Sequence, residues 1–387
     1  MWCGRACSGI GHSTDFGARN PTGRRVICMG RLMVITPIPH PWLIWCRDLM
    51  SSYRAYQVTG RRKFELVQRE IRDPAEEQVR IRTLACGVCH SDALAVEGQR
   101  PNPEEPVVPG HEVVGVVDAV GSGIQERWRI GERVGVGFLG GQCGHCDYCR
   151  RGDFVNCLDQ PLTGTTVDGG YSEMLYVRES ALVRVPEGFD ALTAAPLLCA
   201  GVTVFNALRA GDAPPNTLVA VQGLGGLGHL GVQYAKKLGY EVAAIARGTD
   251  KADLAATLGA DHYIDSATED VAAGLTRLGG AAAVVATASS GQSMAGLVAG
   301  LRPRGRLVVV GAAPDPIPVQ TPDLIFGGRT IVGSLTGSAI DNEDNLAFSL
   351  NHQIAPMIER MPFTEAPQAY ERMMSGHARF RVVLDFS

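Results

Sequence analysis

The hydrophobic pattern changes character near residue 200. Between residues 53 and 200 it is that of short strands. Val79-Arg80-Ile81-Arg82-Thr83-Leu84 alternates apolar and polar positions, which predicts a half-buried strand. Val113-Val114-Gly115-Val116-Val117 is a continuous apolar run of strand length, which predicts a buried one. Glycine and proline punctuate the stretch throughout. From about residue 201, short apolar strands alternate with helical segments. Strands are expected at 218–221, 242–245, 263–264, 283–285, 307–310 and 330–332. Helices are expected at 227–238 and 251–258. Strands joined by helical crossovers predict an α/β fold, a doubly wound parallel sheet with helices on both faces. After about residue 337 the chain is expected to return to the first region, with 381–384 as a closing strand. The pattern shows no internal repeat and no low-complexity tract.

Residues 1–49 do not fit either pattern. They hold six arginines and two aspartates, and Pro37, Pro39 and Pro41 interrupt their one apolar run. That run cannot form a continuous helix. An Arg-rich, acid-poor leader suits an organelle transit peptide. The reading adopted is a tail that does not fold, or an upstream start codon with Met50 beginning the protein.

The chemistry lies in the cysteines and one glycine loop. Cys143, Cys146, Cys149 and Cys157 are separated by two, two and seven residues. Four thiolates on one short loop fill all four corners of a tetrahedral zinc ion, which makes a closed, structural site. Thiolates must stay reduced to hold zinc, so the chain is expected in the cytoplasm rather than stapled by disulfides. Gly223-x-Gly225-x-x-Gly228 follows the strand at 218–221 and opens a helix. In that context the glycines allow a tight turn, close approach to a pyrophosphate and helix–sheet packing. Net charge is −4, which argues against nucleic acid or an anionic membrane as the main partner. No apolar stretch reaches the ~18 residues of a spanning helix.

Cys89 in Cys86-Gly-Val-Cys89-His90-Ser91-Asp92, then Gly110-His111-Glu112, the four-cysteine lobe, Cys199 and Gly223–Gly228 follow one another in this order. From about Ser51 to Phe386 the chain resembles the zinc-containing medium-chain alcohol dehydrogenases. The resemblance implies a β-rich GroES-like catalytic domain from 50–200 and 337–387, with its zinc lobe near 140–160. It implies a dinucleotide-binding Rossmann domain at 201–336. It implies hydride transfer between a primary alcohol or aldehyde and a nicotinamide, in a homodimer or homotetramer.

By the same resemblance, Cys89, His111 and Cys199 hold a catalytic zinc with one open position. Ser91 takes the hydroxyl proton. Asp92 orients His111, and Glu112 tunes the metal. His90, Gly223, Gly225, Gly226, Gly228 and Thr203 touch the cofactor, with His90 at the pyrophosphate and Thr203 beside the nicotinamide ring. Ala246 stands where an NAD enzyme carries a carboxylate, and Arg247 follows, which suits a 2′-phosphate. NADP(H) is therefore expected, with NAD(H) the alternative.

Two departures from the family stand out. Leu94 replaces a relay histidine, so the proton leaves through Ser91 and cofactor ribose or water. The segment 334–341 lacks the arginine that many relatives use on the pyrophosphate. Leu139, together with Ala93-Leu94-Ala95, implies a roomy apolar pocket for a longer or aromatic primary alcohol. Competing readings are a zinc-free quinone or enone reductase of the same superfamily, a redox pair at Cys86 and Cys89, and a zinc module that binds nucleic acid or protein.

Overall fold

The structure is a computed structural model that describes residues 52–124 and 127–387. The leader at 1–49, and the readings made for it, lie outside the described residues. Fifteen strands occur among those described: β1 Ser52–Val58, β2 Phe64–Glu70, β3 Gln78–Val88, β4 Glu112–Val120, β5 Arg133–Val136, β6 Met174–Arg178, β7 Leu182–Arg184, β8 Leu218–Gln222, β9 Glu241–Ala246, β10 His262–Asp265, β11 Ala281–Ala286, β12 Leu301–Val309, β13 Thr330–Gly333, β14 Ile358–Pro362 and β15 Arg381–Asp385.

β8 to β13 make one six-stranded sheet in the order β10-β9-β8-β11-β12-β13, and every neighbouring pair is parallel. The strands are rich in Val and Ala because both faces are covered. β8 and β11 are buried at every position. The order reverses beside β8, and the crevice at such a switch point, beyond the strands' carboxyl ends, is where α/β sheets bind ligands. Gly223–Gly228 begins there and leads into the helix Gly228–Lys237.

A seven-stranded sheet runs β14-β15-β3-β4-β5-β7, with β6 also paired to β3. Its pairs are antiparallel except β14 with β15. The closing strand expected at 381–384 is β15, laid along β3 with Val382 opposite Val88. That register sets Arg381 just beyond the end of β3, where the Cys89 turn begins. β4 starts at Glu112, directly after His111. Three strand ends that carry chemistry thus meet at one end of the sheet. The helix Ala200–Ala210, opened by Cys199, is buried along most of its length against the helix Gly228–Lys237 and joins the two sheets in a common core.

Candidate active site

Cys89, His111, Glu112 and Cys199 each present one donor atom, and the four atoms lie within 4.8 Å of one another. The Cys89 and Cys199 sulfurs are 3.9 Å apart. Two thiolates bound at ~2.3 Å to a tetrahedral ion would stand about 3.8 Å apart. His111 Nε2 and Glu112 Oε2 are buried without a hydrogen-bond partner. A buried imidazole nitrogen aimed at two sulfurs, with no partner of its own, is a ligand position. The donor set and its spacing fit zinc. Cys89 is poised as a thiolate: its pKa is held well down, mainly by the Cys199 S–H, with His111 and Arg381 assisting against burial.

The surrounding groups hold these donors in place. Asp92 Oδ1 lies 2.9 Å from His111 Nδ1, which leaves Nε2 toward the sulfurs. Asp92 Oδ2 accepts the Cys89 N–H at 2.9 Å and the Tyr171 O–H at 2.9 Å. Burial pushes the Glu112 carboxyl up, while the Arg381 guanidinium paired with it pulls it back toward the charged form. Ser91 is half-buried in the His90–Asp92 turn, directly after Cys89, whereas His90 is exposed. Thr203 is buried one helical turn past Cys199, and its N–H bonds the Cys199 carbonyl at 3.0 Å.

The second group is Cys143, Cys146, Cys149 and Cys157, whose sulfurs also lie within 4.8 Å of one another. The Cys143–Cys149 separation is 3.9 Å, the spacing expected of two thiolates on one ion. Backbone N–H groups of Cys149 and Leu158 hold the Cys146 thiol down to about 6. Cys86 stands apart, fully buried on β3, with its thiol pushed well up by burial. An inert Cys86, with Cys89 committed to His111 and Cys199, argues against a redox pair.

In the glycine loop, Gly223 has φ +90° and donates its N–H to Ile245 at the adjacent strand end. A Cβ at Gly228 would collide with the Gly223 carbonyl oxygen, so only glycine lets the helix close on the turn. A Cβ at Gly225 would meet nothing within 4 Å, so this position faces open space. At Gly226 a Cβ would meet Arg381 Nη1 at 2.8 Å. Segment 334–341 lacks an arginine, and Arg381 reaches the loop from the start of β15. Arg381 is 4% exposed and also pairs with Glu112. Its only sequence signal was a charge opening an otherwise apolar strand.

His229 is a second residue that sequence reasoning missed. It is fully buried, with Nδ1 at 2.9 Å from the Gly225 carbonyl and Nε2 accepting the Met357 N–H at 3.2 Å. Burial lowers its pKa to about 4, so it stays neutral and can make both bonds. It pins the glycine loop to the segment preceding β14. Arg247 is exposed beyond the buried Ala246 at the end of β9.

Comparison with known proteins agrees with this geometry. Residues 75–187 match the alcohol dehydrogenase GroES-like domain, and 226–351 match the zinc-binding dehydrogenase domain. Alcohol dehydrogenase notN of Aspergillus sp. (strain MF297-2) is 42% identical over 311 residues, 80% of this chain and 91% of that protein. The chain belongs to the zinc-containing medium-chain alcohol dehydrogenases. A cinnamyl alcohol dehydrogenase (SbCAD4) of Sorghum bicolor superposes with a TM-score of 0.78 at 34% identity, covering 86% of this chain and 97% of that one. The CAD of Helicobacter pylori, solved with NADP(H), gives 0.75 at 27%, covering 86% and 98%. As a member of this family, the chain is an NAD(P)-dependent oxidoreductase acting on small-molecule alcohols or aldehydes. Both metal clusters being complete argues against the zinc-free reductase reading, and membership of an enzyme family argues against a zinc interaction module. No single helix among the described residues is long and apolar enough to cross a membrane.

Proposed function

We propose that this dehydrogenase interconverts longer or aromatic primary alcohols and their aldehydes, using NADP(H) and two zinc ions per chain. The observation that carries the reading is the convergence of Cys89, His111 and Cys199 beside the glycine loop. A zinc ion there supplies Lewis acidity toward the substrate oxygen. Cys89, His111 and Cys199 hold it, Asp92 fixes the His111 ring, and Glu112 and Arg381 set the charge behind it. Cys143, Cys146, Cys149 and Cys157 hold the second ion. Leu139 is 8% exposed and Leu94 half-buried, both light and apolar where bulkier or titrating groups would narrow the pocket. Relatives named for cinnamyl alcohol support an aromatic substrate. Metal analysis together with a panel of alcohols and aldehydes, run with both nicotinamides, tests the reading. One ion or none per chain, or activity confined to short secondary alcohols, would overturn it.

Ser91 carries the proton in this reading. It follows Cys89 by two residues on a turn fixed by Asp92, and Leu94 offers no titrating alternative. Ser91→Ala should lower turnover in alcohol oxidation by about two orders of magnitude, the usual loss for an acid–base step. Normal turnover in steady-state assays would remove Ser91 from the route.

Cofactor choice rests on Ala246 and Arg247. No hydrogen bond or ion pair holds Arg247 among the described residues, so its guanidinium is free for a 2′-phosphate. The Helicobacter pylori relative solved with NADP(H) supports the preference. Ala246→Asp combined with Arg247→Ser should shift the ratio of kcat/KM values toward NAD(H) by about a hundredfold. That is the size expected when a charged hydrogen bond to the phosphate is lost and a carboxylate instead accepts from the ribose hydroxyls. A wild type that already prefers NAD(H) strongly would refute the assignment. The apolar Ile325 and Phe326, 71% and 88% exposed, support assembly as a homodimer or homotetramer.

A further inference from the structure

Tyr171 lies in none of the motifs, yet it is tied to the metal ligands more closely than most residues in them. It is fully buried, and its hydroxyl has one partner among the described residues, Asp92 Oδ2. Its backbone N–H bonds the Pro109 carbonyl at 2.9 Å, two residues before His111. Gly110 makes room for the ring: its φ is +98°, and a Cβ there would come 2.5 Å from Tyr171 Cδ1. The same Asp92 oxygen takes the Cys89 N–H, while the other faces His111 Nδ1. One carboxylate therefore joins the Cys89 turn, the His111 segment and Tyr171.

We propose that Tyr171 is a positioning residue that fixes the Asp92 carboxylate, and through it the His111 ring, so that it governs how long a metal ion stays on Cys89, His111 and Cys199. The inference rests on the zinc reading above. The terminal torsion of an aspartate is broad, so hydrogen bonds must set its orientation. Two donors on Oδ2 turn Oδ1 toward the imidazole, 2.9 Å from Nδ1. Without the phenol, Oδ2 keeps a single N–H donor, and the buried carboxylate loses a charge-assisted bond that nothing nearby replaces. The carboxylate can then rotate, and His111 Nε2 is no longer held toward the sulfurs. If Tyr171 only filled space, Phe would serve equally well, since the ring is kept.

The experiment uses the full-length protein as wild type, Tyr171→Phe, Tyr176→Phe and, to identify the site, Cys89→Ser. Tyr176 also bonds through its hydroxyl, at 2.9 Å to the Arg72 carbonyl, an exposed partner outside the cluster. Each protein is loaded with zinc or cobalt, and metal release to a chromogenic chelator is followed. The phase missing from Cys89→Ser identifies the Cys89 cluster. Tyr171→Phe is expected to release that ion about tenfold faster, the lower end of what loss of a ligand-orienting partner costs. Its cobalt absorption bands should shift, while release from the four-cysteine lobe and the Tyr176→Phe behaviour match wild type. Unchanged release and unchanged cobalt bands in Tyr171→Phe would overturn the proposal alone. Faster release from both sites together would also overturn it, since that marks general loosening. A wild type that takes up only one ion, at the four-cysteine lobe, would overturn the zinc reading and the proposal with it.

Discussion

Cys146→Ser is expected to halve the zinc content and lower the melting temperature by at least about 5 °C, with Cys89→Ser losing activity but far less stability. The segment around the four cysteines has little else to order it. Its regular structure is two short turns, Asp147–Arg150 and Phe154–Asn156. Leu158 is 74% exposed, and no side chain of the lobe belongs to a hydrophobic core cluster among the described residues. A closed thiolate site supplies folding energy directly, about 10–16 kcal/mol in small zinc-dependent peptides. Losing one of four ligands forfeits a large part of that, and a few kcal/mol already shifts melting by several degrees in a chain this size. Val155 and Asn156 also line a cavity of about 560 Å³ with Val309–Ala312 and Gly333–Thr336. A disordered lobe would open that cavity at the strand ends of the nucleotide sheet, so activity should fall as well. Metal analysis and calorimetry on the two variants decide the matter. A Cys146→Ser protein that kept two ions and its wild-type melting temperature would show the lobe to be no structural site.

How much of this was legible beforehand follows the range of each interaction. The nucleotide sheet could be read because each strand is a local apolar run and each crossover a local periodicity. The expected strands at 218–221, 242–245 and 283–285 match β8, β9 and β11 to within a residue or two at each end. Gly223, Gly225 and Gly228 are legible because the turn they make needs only neighbours. The cysteine lobe is legible because its ligands span fifteen residues. What stayed hidden depends on interactions between distant segments. Arg381 meets Glu112 across 269 positions, and Tyr171 meets Asp92 across 79. Nothing in the composition of either segment announces the partner. The β1–β2 hairpin was missed for a different reason. Phe64–Glu70 mixes charges into its apolar positions, and among the described residues it pairs only with β1, at a surface where three of its seven residues are exposed. His229 was missed because its partner, the Met357 N–H, lies 128 positions away.

Arg381→Leu should separate two contacts that the structure gives to a single guanidinium. One end pairs with Glu112, which is fully buried. Removing one partner of a buried ion pair leaves the other charge uncompensated and costs about 3–5 kcal/mol. The other end reaches Gly226, where a cofactor pyrophosphate would approach the loop. Loss of a charge-assisted bond there should weaken nicotinamide binding by about ten- to a hundredfold. The two effects answer differently to a second change. Glu112→Gln in the Arg381→Leu background removes the orphaned carboxylate, so stability in denaturant titrations should recover in large part. Cofactor affinity, read from nicotinamide fluorescence, should stay weak, because no cation has been returned to the loop. Wild-type affinity in Arg381→Leu would leave Arg381 with a purely internal task and return the pyrophosphate to the glycine loop alone. If instead affinity and stability recover together in the double variant, then the loop was displaced only by the buried charge, and the guanidinium does not itself touch the cofactor.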